Sequence, residues 1–146
     1  LKILRYVWYG SNYTPTDAQL AADTDFLEVF HPWLTEGDNA KSLTTNPLFR
    51  ILAYFDTPFT LGQYDDCNMT STFLNNIWIL KDSSGNLLSL AGDTPPIYFW
   101  DIGNPDAQQW VANMLLSWLT AHPNITGVML DDIQMTNDWF WNPSSA

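Results

Sequence analysis

The chain is poor in several things at once. It has one cysteine, Cys67, so no disulfide forms within it and cysteine pairing says nothing about its redox compartment. It has five Lys and Arg against sixteen Asp and Glu, a formal charge of -11. That balance repels phosphate backbones and anionic headgroups, which argues against nucleic acid and membrane surfaces as partners. Glutamate is almost missing: Glu28 and Glu36 are the only two, and the other fourteen acidic residues are Asp. No apolar run is long enough to span a bilayer, and no charged leader precedes an apolar segment. No G-x-G-x-x-G, Walker lysine motif, G-x-S-x-G elbow or Cys/His cluster occurs, so neither a nucleotide cofactor nor a metal is expected.

What is present is an apolar, aromatic chain of 146 residues, the size of one domain, with 46% hydrophobic residues and 15% aromatics. Such rings fill a core and also offer flat faces on which sugars stack. Three sequons, at Asn12, Asn68 and Asn124, mark candidate N-glycosylation sites, whereas the proline in Asn142-Pro143-Ser144 disqualifies that match. With a start at Leu1, these sequons point to a processed, secreted protein or to an excised piece of a longer one.

The apolar runs alternate with helix signals. Ile3 to Tyr9, Phe26 to Phe30, Leu48 to Phe55 and Ile125 to Leu130 read as strands covered on both faces. Thr14-Pro15-Thr16-Asp17 predicts a helix start, with Thr14 as cap, running to about Thr24. Leu34 to Pro47 reads as a polar connection and residues 57 to 72 as a long loop. Ile77 to Leu88, around Lys81 to Asn86, reads as a hairpin, and Ile97 to Trp100 as a further extended piece. The strongest helix is Asn104 to Ala121: Asn104 caps it, Pro105 takes the first helical position, and Ala107, Trp110, Val111, Met114, Leu115, Trp118 and Leu119 form one apolar stripe. Strands joined by helical crossovers predict a single α/β domain with a parallel sheet.

In parallel α/β folds ligands bind beyond the carboxyl ends of the strands, which singles out Tyr9, His31, Tyr54, Asp56, Asp101, Asp131 and Asp132. Converging carboxylates are what glycosidic cleavage needs, one to protonate the leaving oxygen and one as nucleophile or base. For each there is a structural reading too: Asp131 as a strand-end loop cap, His31 as a packed histidine before Pro32, and Asp65-Asp66 as a solvated loop.

Thr126-Gly127-Val128-Met129-Leu130-Asp131-Asp132-Ile133, after Asp101-Ile102-Gly103-Asn104-Pro105-Asp106, resembles the "DGvfLDnv" strand and "D-x-x-N-P" helix start of TIM-barrel glycoside hydrolases, nearest to hypothetical glycosyl hydrolase-like barrels. Ile51 to Phe55 resembles their third strand, and Trp78-Ile79-Leu80-Lys81-Asp82 with Gly85-Asn86 resembles their "W-x-L-x-D-x-x-G-N" segment. The resemblance implies Asp131 as nucleophile or charge stabiliser and a sugar subsite lined by Tyr54, Asp56 and His31. It makes Trp139 to Trp141 a stacking platform, although packing explains those rings equally well. Asp132 stands where the pattern has Asn, and Thr126 where it has Asp.

A full barrel needs about 250 residues, so the expectation is the first four strands of a (β/α)8 barrel with an inserted hairpin. The resemblance puts the general acid on a later strand, and no Glu follows Glu36. Two readings stay open: a glycoside hydrolase completed by a C-terminal half or a partner chain, and a noncatalytic secreted module that binds glycans or self-assembles.

Overall fold

The computed structural model describes residues 5–7, 16–23, 26–30, 34–62, 67–90, 92 and 94–131. Four strands, β1 (Arg5–Val7), β2 (Phe26–Phe30), β3 (Arg50–Asp56) and β4 (Gly127–Asp131), form one sheet in the order β1-β2-β3-β4, every pair parallel. Helices α1 (Asp17–Asp23) and α2 (Leu34–Leu43) make the first two crossovers, and α3 (Met69–Asn75) and α4 (Pro105–Ala121) lie within the third. A parallel sheet built in sequence order, with helices in its crossovers, is the expected architecture.

The two faces of the sheet differ. Ile51, Ala53 and Phe55 of β3 are buried against the helical layer. Ile51 and Ala53 share a cluster with Phe49, Ala40 of α2 and Ile125, onto which Trp118 and Leu119 of α4 pack. Phe55 joins Met69 and Phe73 of α3, Ile79, Trp100, and Ala107, Val111 and Met114 of α4. The alternate residues Leu52, Tyr54 and Asp56 therefore point to the other face.

Local chemistry explains the ends of the helices. Thr16 and Gln19 form a capping box at α1: Gln19 N–H donates to the Thr16 hydroxyl at 3.3 Å, and Thr16 N–H donates to Gln19 Oε1 at 2.8 Å. The cap is thus Thr16, two residues after the expected Thr14, because Thr16 has a glutamine three residues on to reciprocate. At α4 the expected cap is found, with Asn104 Oδ1 accepting from Asp106 N–H at 3.0 Å and Ala107 N–H at 3.2 Å. His122 ends this helix, and its Nδ1 hydrogen-bonds Asp38 Oδ2 at 2.7 Å, tying α4 to α2.

Two helices replace expected irregular structure. α2 occupies the polar stretch from Leu34; Gly37 and Ala40 are the buried residues among its described side chains, so it carries no apolar stripe to read. α3 lies at the end of the expected loop and is anchored by Met69 and Phe73, an i, i+4 pair too short to show a period. β3 starts two residues later than expected, since Leu48 is 70% exposed in the preceding turn, and it extends to include Asp56. β4 likewise starts at Gly127 and ends on Asp131.

The inserted hairpin is present as an antiparallel ladder: Lys81 bridges Leu87, Ser89 bridges Tyr98, Ile79 bridges Trp100 and Phe59 bridges Phe99. Ile97 to Trp100 belongs to this insertion and not to the parallel sheet. At the turn, Asp82 accepts from Asn86 Nδ2 and from the Asn86 and Ser84 amides. Those bonds, the Asn86 side chain foremost, hold its carboxyl below the usual range. Gly62, at φ +55°, lies where a Cβ would come 2.6 Å from Ile97 Cγ1, so only glycine lets the β3 loop pack against the insertion.

Thr126 sits at the mouth of β4. Its hydroxyl donates to Ile51 C=O at 2.8 Å and accepts Ile51 N–H at 3.2 Å, while its own N–H donates to the same carbonyl at 2.8 Å. A short hydroxyl extends the ladder one step before the strand begins. Thr126→Val preserves shape and removes both side-chain bonds, so it is expected to lower the unfolding free energy by about 1–2 kcal/mol. Urea denaturation measures this; an unchanged midpoint would show the hydroxyl to be dispensable.

Candidate functional site

The carboxyl ends of β3 and β4 finish side by side. Tyr54 is the register partner of Met129, and Asp56 of Asp131. Partners in a parallel pair point to the same face, so Tyr54, Asp56, Met129 and Asp131 share the face opposite the helices. Past the strand end, Thr57 N–H donates to Asp131 C=O at 3.1 Å and holds the two backbones together.

On that face the Tyr54 hydroxyl donates to Asp131 Oδ2 at 2.7 Å. Tyr54 is only 5% exposed, so its ring is fixed by packing and the hydroxyl is delivered to one place. The bond sets the orientation of the Asp131 carboxyl group. Asp131 itself is half-buried and reachable from outside. Asp56 is also half-buried, with its Oδ1 shielded from solvent. The arrangement is chemically suited to an electron-pair donor held rigidly beside a second carboxyl group.

Three of the expected rim residues, Tyr54, Asp56 and Asp131, are therefore brought together. Asp101 is placed differently. It follows the antiparallel insertion, not a strand of the parallel sheet, and its Oδ1 accepts from Gly103 N–H at 3.0 Å in the turn leading to α4. Its main chain is fixed there too, with Asp101 N–H donating to Trp78 C=O at 2.8 Å and Asn104 N–H to Asp101 C=O at 3.0 Å. Tyr9, His31, Asp132, Trp139 and Trp141 lie outside the described residues, as do Asn12 and Asp65-Asp66.

Of the other two sequons, Asn68 is exposed at the start of α3, in the left-handed region at φ 59°, with no side-chain capping bond. Asn124 is half-buried in the turn before β4. Among the described residues no group of three His, Cys, Asp or Glu is placed to hold a metal ion, and no helix is long and apolar enough to cross a membrane. The Tyr54–Asp131 bond was not foreseen: both residues were singled out, but nothing in the sequence links positions 77 apart.

No protein-family model matches the chain, and no characterised protein is similar to it in sequence. Solved structures are similar in fold. A noncanonic maltogenic α-amylase from Thermotoga neapolitana superposes with a TM-score of 0.57 over 92% of this chain at 10% identity. An α-galactosidase from Thermus thermophilus, solved with p-nitrophenyl α-D-galactopyranoside, superposes with a TM-score of 0.53 over 87% of the chain at 14% identity. Both are glycoside hydrolases with TIM barrels, and the chain spans 40% and 30% of their lengths. The likeness shows the fold: an α/β arrangement matching part of such a barrel.

Proposed function

We propose that the chain is the N-terminal half of a (β/α)8 barrel in a secreted, carbohydrate-active hydrolase, with Asp131 as the nucleophile or charge stabiliser of glycosidic cleavage. The observation that carries this is the Tyr54–Asp131 bond at the carboxyl ends of adjacent parallel strands, on the face opposite the described helices, where barrels of this class place their chemistry. A carboxylate oriented by a buried phenol is suited to meeting the positive charge that develops at an anomeric carbon. The glycoside hydrolase scaffold of the structural neighbours supports the same reading. Tyr54 and Asp56 line the sugar subsite; Tyr9, His31 and Asp132 complete its rim, and Trp139 and Trp141 stack on the sugar. Glycans on Asn12, Asn68 and Asn124 fit a secreted protein.

The other wall of the site comes from a complementary half, as a C-terminal segment of the same polypeptide or as a second chain. Among the described residues β4 is an edge strand, with Leu52 and Met129 half-buried on the open face. Such an edge is ready to take another parallel strand.

Fluoride release from α-glucosyl fluoride and α-galactosyl fluoride tests the activity, since fluoride departs with little help from an acid. The protein carrying this chain is expected to release fluoride from one of them above the spontaneous rate. Release from neither would overturn the hydrolase reading and leave a noncatalytic glycan-binding scaffold.

A further inference from the structure

We infer that Asn68 carries an N-linked oligosaccharide that lies along the exposed side of α3 and covers the bare apolar residue at its far end, Ile77. The inference rests on the secreted part of the reading above and is independent of the hydrolase chemistry. It goes beyond that reading by singling out one sequon and giving its glycan a task.

The structural use for an asparagine at this position is to cap the helix, its side-chain oxygen accepting first-turn amides from an extended backbone. Asn68 is not used in that way. Its backbone is left-handed, at φ 59° and ψ 32°, and its side chain makes no capping bond. The main-chain carbonyl does the local work, accepting Thr72 N–H at 3.0 Å and the Ser71 hydroxyl at 3.1 Å. The residue is exposed, so its amide is left for chemistry outside the fold.

Its neighbours fix when that chemistry takes place. Met69 is fully buried and Thr70 Oγ1 is shielded from solvent, so the threonine of the sequon is out of reach once α3 has packed. The glycan is therefore attached before folding. Asn68 Nδ2 bonds to the anomeric carbon of a lipid-diphosphate-linked oligosaccharide as the bond from that carbon to the diphosphate oxygen breaks, and Nδ2 gives up one proton.

In the folded chain Ser71 and Asn75, three and seven residues on, continue the same side of the helix, and both are exposed, short and uncharged. They offer hydrogen-bonding groups to a sugar chain without bulk in its way. At the far end Ile77 is 73% exposed at φ 60°. A β-branched residue is strained there, and glycine would hold the turn without strain. Its N–H donates to Leu74 C=O at 3.3 Å, and Leu74 is itself exposed. A seven-residue helix spans about 10 Å, less than the length of a branched oligosaccharide, so a glycan on Asn68 reaches these apolar groups.

The test sends the protein carrying this chain through the secretory pathway of a eukaryotic cell and maps the peptides of the product. The peptide holding Asn68 is expected to be heavier by an oligosaccharide, which peptide N-glycosidase removes, leaving Asp at position 68. Binding of an apolar dye and aggregation on warming then read the task of the glycan. Asn68→Gly keeps the left-handed backbone, removes the attachment point and is expected to raise both, with hydrolysis of a glycosyl fluoride unchanged. Adding Ile77→Gly is expected to bring both back toward the unsubstituted protein. An unmodified Asn68 in protein recovered from the medium would overturn the inference, and so would dye binding and aggregation that are the same with and without the glycan. Retention of the native protein inside its own cells would instead sink the secreted reading and the glycan with it, which keeps the two failures apart.

Discussion

Asp131→Asn is expected to lower kcat/KM for a glycosyl fluoride by about 10³-fold or more, roughly 4 kcal/mol of transition-state stabilisation, while the thermal midpoint stays put. The substitution is isosteric. The amide oxygen still accepts the Tyr54 hydroxyl, so the bond that positions the side chain survives while the negative charge and nucleophilicity are lost. Asp131 lies on the opposite face from Phe55, Val111 and Met114 of the helical layer. Tyr54→Phe makes the converse test. It keeps the charge, removes the hydroxyl and is expected to cost about tenfold in kcat with KM little changed, the worth of one hydrogen bond to a charged group. Steady-state kinetics beside a melting curve measure both. Full activity in Asp131→Asn would assign this aspartate to the structural role of a strand-end cap.

Phe73→Ala is expected to remove about 3–5 kcal/mol of stability, a large share of the roughly 5–15 kcal/mol of a typical domain. Phe73 is fully buried, and its ring meets Trp78 at 5.1 Å, Trp100 at 5.5 Å and Trp110 at 5.2 Å, each edge to face. Those tryptophans belong to three different segments: the residues after α3, the last extended piece of the insertion, and α4. Truncating the ring leaves a cavity and forfeits three aromatic contacts of about 0.5–1.5 kcal/mol each. Phe73→Leu refills part of the space and should lose less. Urea unfolding followed by tryptophan emission reports the free energy and the solvation of those indoles together. A loss below about 1 kcal/mol would mean that the site collapses around the gap, contrary to a close-packed cluster.

Where the sequence was legible, the local signal was complete in itself. Asn104, Pro105 and the stripe from Ala107 to Leu119 contain everything that fixes α4: a cap, a preset φ and an apolar face. The strand segments announce themselves by apolar runs, since a sheet covered by helices has few polar positions to spare. α2 was illegible because residues 34–43 have no stripe; their helix is favoured by the covering of the sheet and not by periodicity. α3 is a seven-residue helix whose two anchors point into a cluster assembled from distant segments. For the site, the strand-end rule found Tyr54, Asp56 and Asp131 but also selected Asp101, because an apolar run does not reveal which sheet it joins. Register and the phenol–carboxylate bond depend on how the strands align, and one sequence alone does not encode that visibly.

The long third crossover has a consequence for the order in which the molecule assembles. The β3–β4 pairing joins residues 75 apart, as Ile51 and Thr126 are, about three times the separation across β2 and β3. By loop-closure entropy that difference costs about 1 kcal/mol, and it slows the search for the contact. The β1–β2–β3 part of the sheet is therefore the portion able to form early, with β4 docking onto it once the insertion and α4 have condensed. Asp131 arrives with β4, so the rim of carboxyl groups is absent from any partly folded form and comes into being with the last strand pairing.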